Sequence, residues 1–125
     1  MKAYTDLEQS KKLAEILPIE SADACWTNHL FADILSSWRL ESTPPQKYKS
    51  HLDRYVVKGY LIEPAWSLTV LLSVLDFPCL TQINENEWEV CVFDHDNDDY
   101  FEKTASSPVD ACVAMIEKLH ELKML

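Results

Sequence analysis

The residues most able to do chemistry lie in one run, Asp94-His95-Asp96-Asn97-Asp98-Asp99. Asp94, Asp96 and Asp98 fall at positions one, three and five of an EF-hand-like loop, where oxygen ligands to Ca²⁺ alternate. The match then breaks. Position six, where a sharp turn needs Gly, is Asp99, and position twelve, where a bidentate Glu belongs, is Ala105. The run therefore reads as a solvated hairpin turn with at most weak, adventitious affinity for Ca²⁺.

Other chemistry finds less support. His29, His51, His95 and His120 with Cys25, Cys79, Cys91 and Cys112 never adopt a metal-ligand spacing such as H-x₃-H or C-x-x-C. The thiols sit among apolar neighbours and read as reduced core residues. No thiol is marked as activated by its neighbours. Carboxylates are abundant enough that pairs arise by chance, so pairing does not point to an acid–base site. Gly59 is the only glycine, which excludes Gly-rich phosphate loops. Accordingly no catalytic residue, cofactor site or metal site is assigned, and no cofactor is expected. Trp66 and Trp88 could stack on bases or sugars, but their surroundings favour burial; Trp38 is the more exposed candidate.

Charge distribution carries more information. The chain has a formal net charge of −10, from 21 carboxylates against 11 Lys and Arg. Between Lys58 and Lys103 there is no basic residue, while Glu63, Asp76, Glu85, Glu87, Glu89, Asp94, Asp96, Asp98, Asp99 and Glu102 all fall there. The segment from Arg39 to Lys58 is locally basic. Direct binding to nucleic acid is not expected, because phosphate neutralisation needs clustered cations. An anionic membrane surface is disfavoured for the same reason. Glu85, Glu87, Glu89, Asp94, Asp96, Asp98, Asp99 and Glu102 form the candidate acidic interaction surface, suited to a basic host protein as partner.

These residues need elements to position them. Thr5 and Glu8 suggest a capping box for a first helix, which Pro18 ends. Ala22–Thr27 fits a short strand, His29–Leu40 leans to a helix, and Tyr55–Ile62 is β-prone with Gly59 as a bulge or turn. Pro64–Leu75 is apolar on nearly every side and predicts a buried central helix. Cys79–Thr104 predicts a three-stranded meander with turns at Asn84–Glu87 and Asp94–Asp99. Ser107 as cap, Pro108 at the first helical position and a stripe from Val109 to Leu119 predict a C-terminal helix. The fold class is thus α+β: an antiparallel meander, of three strands or more, packed against N-terminal, central apolar and C-terminal helices. At 125 residues it is expected to be one domain spanning 1–125. No apolar run reaches the ~20 residues of a membrane span, and no export segment is evident, so the expected location is the cytoplasm.

Three stretches carry a resemblance: Thr5-Asp6-Leu7-Glu8-Gln9-Ser10-Lys11-Lys12-Leu13-Ala14-Glu15-Ile16-Leu17-Pro18, Pro64-Ala65-Trp66-Ser67-Leu68-Thr69-Val70-Leu71-Leu72, and Ser107-Pro108-Val109-Asp110-Ala111-Cys112-Val113 onward to Leu122. In these the chain resembles a family of small uncharacterised proteins of gut bacteria, often carried on phage-like or mobile elements. The resemblance implies no activity. It departs between Trp26 and Leu61, where this chain is longer and more basic. The expected function is a non-enzymatic binding protein, in its sharper form an acidic mimic of nucleic-acid phosphate. The alternatives are a small enzyme with a site assembled from dispersed residues, and an accessory or homo-oligomeric subunit.

Overall fold

The first helix starts one residue later than its sequence signal suggests. In a computed structural model, which describes residues 2–29, 38–45, 56–57 and 60–125, Asp6 caps α1 (Leu7–Leu13). The Asp6 carboxylate accepts the Gln9 backbone N–H at 2.8 Å, and the Gln9 side chain accepts the Asp6 backbone N–H at 3.0 Å. This is a complete capping box, built on Asp6 and Gln9 rather than on Thr5 and Glu8. Thr5 is fully buried instead. The chain divides into two compact units, one of residues 6–67 and one of residues 1–5 with 68–125.

In the unit of residues 6–67, α1 packs on a four-stranded antiparallel sheet through β4. The sheet order is β2 (Arg39–Glu41), β1 (Ala24–His29), β4 (Tyr60–Ala65) and β3 (Val56–Val57). β1 and β4 pair along six residues, from Ala24 opposite Ala65 to His29 opposite Tyr60. That pairing overrides the helix expected from Pro64. Pro64 sits directly opposite Cys25, beyond the reach of β3, which pairs only with Tyr60 and Leu61. Among the described residues no strand pairs with Pro64 on the β3 side, and an edge position of this kind tolerates a residue without an N–H. Trp66 follows, fully buried, and its indole N–H donates to Ser21 Oγ at 2.9 Å. Leu13, Ala24, Cys25, Ile62 and Ala65 complete this core. Trp38 is half-buried, with Lys11 Nζ 5.7 Å from its ring centroid, a cation–π arrangement. The expected helix over His29–Leu40 falls mostly outside the described residues, as do the Gly59 bulge and most of the basic segment; His29, Arg39 and Leu40 lie on strands.

The second unit contains the predicted meander. β5 (Cys79–Asn84), β6 (Glu87–Asp94) and β7 (Asp99–Ala105) form a three-stranded antiparallel sheet in chain order. α3 (Pro108–Glu121) packs on β6 and β7, and α2 (Leu68–Val74) packs on α3. The central helix is therefore shorter than Pro64–Leu75. Within it only Leu71 is buried, with Leu68, Val70, Leu72 and Val74 partly exposed. Along α3, Val109, Cys112, Val113, Met115, Ile116 and Leu119 are buried, while His120 is exposed at the margin. Lys2 Nζ lies 2.8 Å from Asp110 Oδ1, joining the chain start to the first turn of α3. The architecture is α+β. Among the described residues, no helix is long and apolar enough to cross a membrane.

Ser107 accepts the backbone N–H of Asp110 at 3.1 Å and caps α3 as its sequence predicts. Ser107→Ala is expected to cost about 1 kcal/mol. Urea unfolding should show this as a lower midpoint at unchanged slope.

Candidate functional site

Register alone sorts the meander's side chains. Trp88, Val90 and Val92 share one face of β6 with Ala105, Lys103 and Phe101 opposite them on β7. Val90 and Val92 are buried there, on the side covered by α3. Glu87, Glu89, Cys91 and Phe93 take the other face. Their cross-strand partners include Cys79 and Thr81 on β5 and Tyr100, Glu102 and Thr104 on β7, all of them exposed. The sheet thus has an apolar inner face and a polar outer one.

The eight acidic residues named from sequence do not converge on one point. Glu85 lies in the β5–β6 turn and Glu87 begins β6. Asp94 and Asp99 face each other across the far end of the hairpin, with Asp96 and Asp98 in the turn between them. At the ~3.4 Å rise of an antiparallel strand, Glu87 and Asp94 stand roughly 24 Å apart. Between these ends, Glu89 and Glu102 come together on the outer face beside Cys91. Lys103, the only Lys or Arg between Gly59 and Glu117, is in register with Val90 and belongs to the inner face.

The Asp94–Asp99 turn is flanked by strands, so it lacks the helices of an EF-hand. Its order comes from Asp94. That carboxylate accepts the Asn97 side-chain N–H at 2.8 Å and the Asp96 backbone N–H at 3.0 Å. Asp98 adopts φ 55°, a left-handed conformation that Asp tolerates better than most residues. Residues 95–99 of the turn are exposed.

A pocket of about 370 Å³ opens beside this turn, lined in part by Val74, Val92 and Leu119. Phe77 and Phe93 meet the His95 ring edge-on, at centroid distances of 4.9 and 4.7 Å. Asp76, Asp94 and Asp96 add carboxylates to the lining. Phe77 is 75% exposed and holds φ 48° immediately before Pro78. A bulky residue in this left-handed region carries backbone strain of order 1 kcal/mol. The strain places an aromatic ring in solvent just past the end of α2, where a helix terminus ordinarily uses Gly. Sequence analysis assigns no role to Phe77 or Pro78 and so misses this pocket. The available signal is an aromatic residue inside a chain reversal.

The cysteines divide. Burial pushes the Cys112 thiol up to about 11, and burial followed by the charge of Glu41 pushes Cys25 to about 11. Both are inert core thiols, as expected. Cys79 differs from the expectation: it is exposed, because β5 is an edge strand whose residues are mostly open to solvent. Cys91 is packed from the side by polar neighbours, with Sγ 2.8 Å from Tyr100 Oη and 3.1 Å from Glu89 Oε1. Cys91, Glu89 and Glu102 are the described residues whose donor atoms could hold a metal ion.

Comparison with known proteins gives no match: no family model, curated protein or solved structure matches this chain.

The Asp94 turn has a testable pH dependence. The Asn97 hydrogen bond, aided by the Asp96 and Asn97 backbone N–H groups, holds the Asp94 carboxyl below its ordinary value of 3.8 against a weaker opposing effect of burial. A carboxyl lowered in the folded state contributes order that is complete above the ordinary value and lost as pH falls through the lowered one. NMR shifts of the Asp96 and Asn97 amides should therefore titrate with a midpoint below 3.8. In Asp94→Asn that titration should vanish while the turn stays formed.

Proposed function

We propose that this chain is a non-enzymatic binding protein whose acidic meander occupies the basic groove of a nucleic-acid-binding host protein, in place of nucleic-acid phosphate. The observation that carries this reading is the one-sided charge of the meander. Carboxylates stand at both turns and on the outer face, while Lys103 is in register with Val90 on the inner face. Residues two apart on one face of a strand are ~6.8 Å apart, about two of the ~3.4 Å axial charge steps of a nucleic-acid strand. Carboxylates on that face can therefore stand in for alternate phosphates. Such a surface steers a basic partner over long range and loses that attraction as salt screens it.

The pocket beside the β6–β7 turn supports the same kind of partner. Phe77, Phe93 and His95 supply ring surface for the alkyl stem of a Lys or Arg side chain. Asp76, Asp94 and Asp96 supply carboxylates for its charged head. An anchoring side chain in a pocket, surrounded by weaker charge contacts, is how protein interfaces concentrate their binding energy.

Nuclease-treated host lysate passed over the immobilised intact chain tests the reading. The partner should bind at low salt and be released by excess duplex DNA as well as by high salt. Replacing Asp94, Asp96, Asp98 and Asp99 together by Asn should abolish retention, and Phe77→Ala should weaken it by about tenfold, the scale of losing one anchoring side chain. Retention that survives the fourfold neutralisation, or that persists under excess DNA, would contradict phosphate mimicry.

A further inference from the structure

The outer face of the meander gathers a second kind of chemistry around Cys91. One carboxylate oxygen each from Glu89 and Glu102, together with Cys91 Sγ, lie within 4.8 Å of one another. Register explains the meeting. Glu89 is two residues from Cys91 on β6 and shares its face; Glu102 on β7 and Cys79 on β5 are both directly opposite Cys91. Cys91 therefore has a carboxylate strand-neighbour on one side, a thiol strand-neighbour on the other, and a carboxylate along its own strand. Directly opposed residues have Cβ atoms ~4.5–5.5 Å apart, within reach of a shared ligand.

We propose that Cys91, Glu89, Glu102 and Cys79 form a binding site for one divalent cation of the zinc class. Two sulfurs and two carboxylate oxygens make a four-donor set of mixed softness. Zn²⁺ accepts both donor types in tetrahedral geometry, with Zn–S of about 2.3 Å and Zn–O of about 2.0–2.2 Å. Ca²⁺ and Mg²⁺ need six or more oxygens, or several retained waters, and gain nothing from thiolate. Donors on a tetrahedral ion stand roughly 3.5 Å apart. The 4.8 Å limit holds for Glu89, Cys91 and Glu102 and leaves them a short closing movement, which the exposed Glu102 carboxylate can make through its side-chain torsions; Cys79 Sγ lies outside that group and joins only by rotation of its exposed side chain.

The neighbours fit this role. Cys91 Sγ donates to Glu89 Oε1 at 3.1 Å, so a proton already occupies the space between soft and hard donors. Metal binding replaces that proton: Cys91–SH and the cation give the metal thiolate and one released proton, and Cys79 releases a second when it joins. Affinity should fall as pH falls. Tyr100 Oη, which donates to Glu102 Oε2 at 3.3 Å and stands 2.8 Å from Cys91 Sγ, turns its O–H to the metal-bound thiolate once Glu102 binds the ion, and fixes the thiolate's orientation. Cys91 is itself buried, and the ion reaches its Sγ past the exposed Glu102 and Cys79 side chains on either side.

Co²⁺ serves as the spectroscopic probe, added to the reduced intact chain in oxygen-free buffer. The expected result is a near-ultraviolet sulfur-to-cobalt charge-transfer band that saturates at one equivalent and is bleached by Zn²⁺. Cys91→Ser should abolish the band, and Cys79→Ser should reduce its intensity by about half, the share of one of two sulfur donors. Glu102→Gln, an exposed change on β7, should weaken Zn²⁺ binding by at least the ~10-fold that loss of an outer-shell partner costs. Asp96→Asn with Asp98→Asn should leave affinity unchanged, separating a built site from general attraction to acidic protein. A band that is absent at one equivalent would overturn the proposal. So would equal binding by wild type, Cys91→Ser and Glu102→Gln, or a loss confined to the Asp96 and Asp98 variant. An unchanged band in Cys79→Ser would overturn the place of Cys79 in the ligand set.

Discussion

Strand β6 hydrogen-bonds to a neighbour on each edge, so its side chains have only two directions open to them. One direction meets α3 and must be apolar; the other meets solvent and need not be. Val90 and Val92 satisfy the first demand, with Trp88 half-buried at the start of the strand. Everything outward of the sheet follows from that choice. Glu87, Glu89 and Cys91 are turned away from the helix because their neighbours are turned toward it. A register slip by one residue would bury the carboxylates and expose the valines, so the apolar face protects the arrangement of the acidic one.

This constraint has an electrostatic consequence. Charges on a sheet's solvent face are held at fixed spacing, unlike charges on a disordered acidic tail. Repulsion among them costs folding energy that the inner face and α3 must offset. On the helix side of the same unit, Lys2 pairs with Asp110 where α3 begins, and Ser107 caps the helix beside it. The hairpin end is instead organised by hydrogen bonds from Asn97 and the backbone to Asp94, which order the turn without neutralising it. Phe77 adds a strained aromatic corner next to that turn. Together these features concentrate fixed negative charge and exposed ring surface at one end of the meander.

Local signals are readable in the sequence and long-range ones are not. α3 is legible because Ser107, Pro108 and the apolar stripe all act within a few residues of one another. The meander is legible from its alternation and its polar turns. The capping box shifts by one residue because Asp6 and Thr5 are both good caps, and burial of Thr5 decides between them. Pro64 misleads because proline opens a helix and tolerates a sheet edge equally well. What decides is the pairing with β1, far upstream in the chain. The meeting of Cys91 with Cys79 and Glu102 is hidden for the same reason. Metal-ligand spacing motifs describe donors on one turn or helix, whereas cross-strand register brings together residues whose separation in sequence reflects only strand and turn lengths.

A strong, localised negative potential over the outer face and hairpin end of the meander is what both proposed roles require. Paramagnetic relaxation of backbone amides by a cationic and a neutral nitroxide, compared at low salt, measures that potential residue by residue. The expected result is excess relaxation by the cationic probe at Glu89, Cys91, Glu102 and Asp94–Asp99, shrinking as salt is raised, with little excess along α3. Equal relaxation by the two probes at those residues, or an excess spread evenly over the chain, would contradict it.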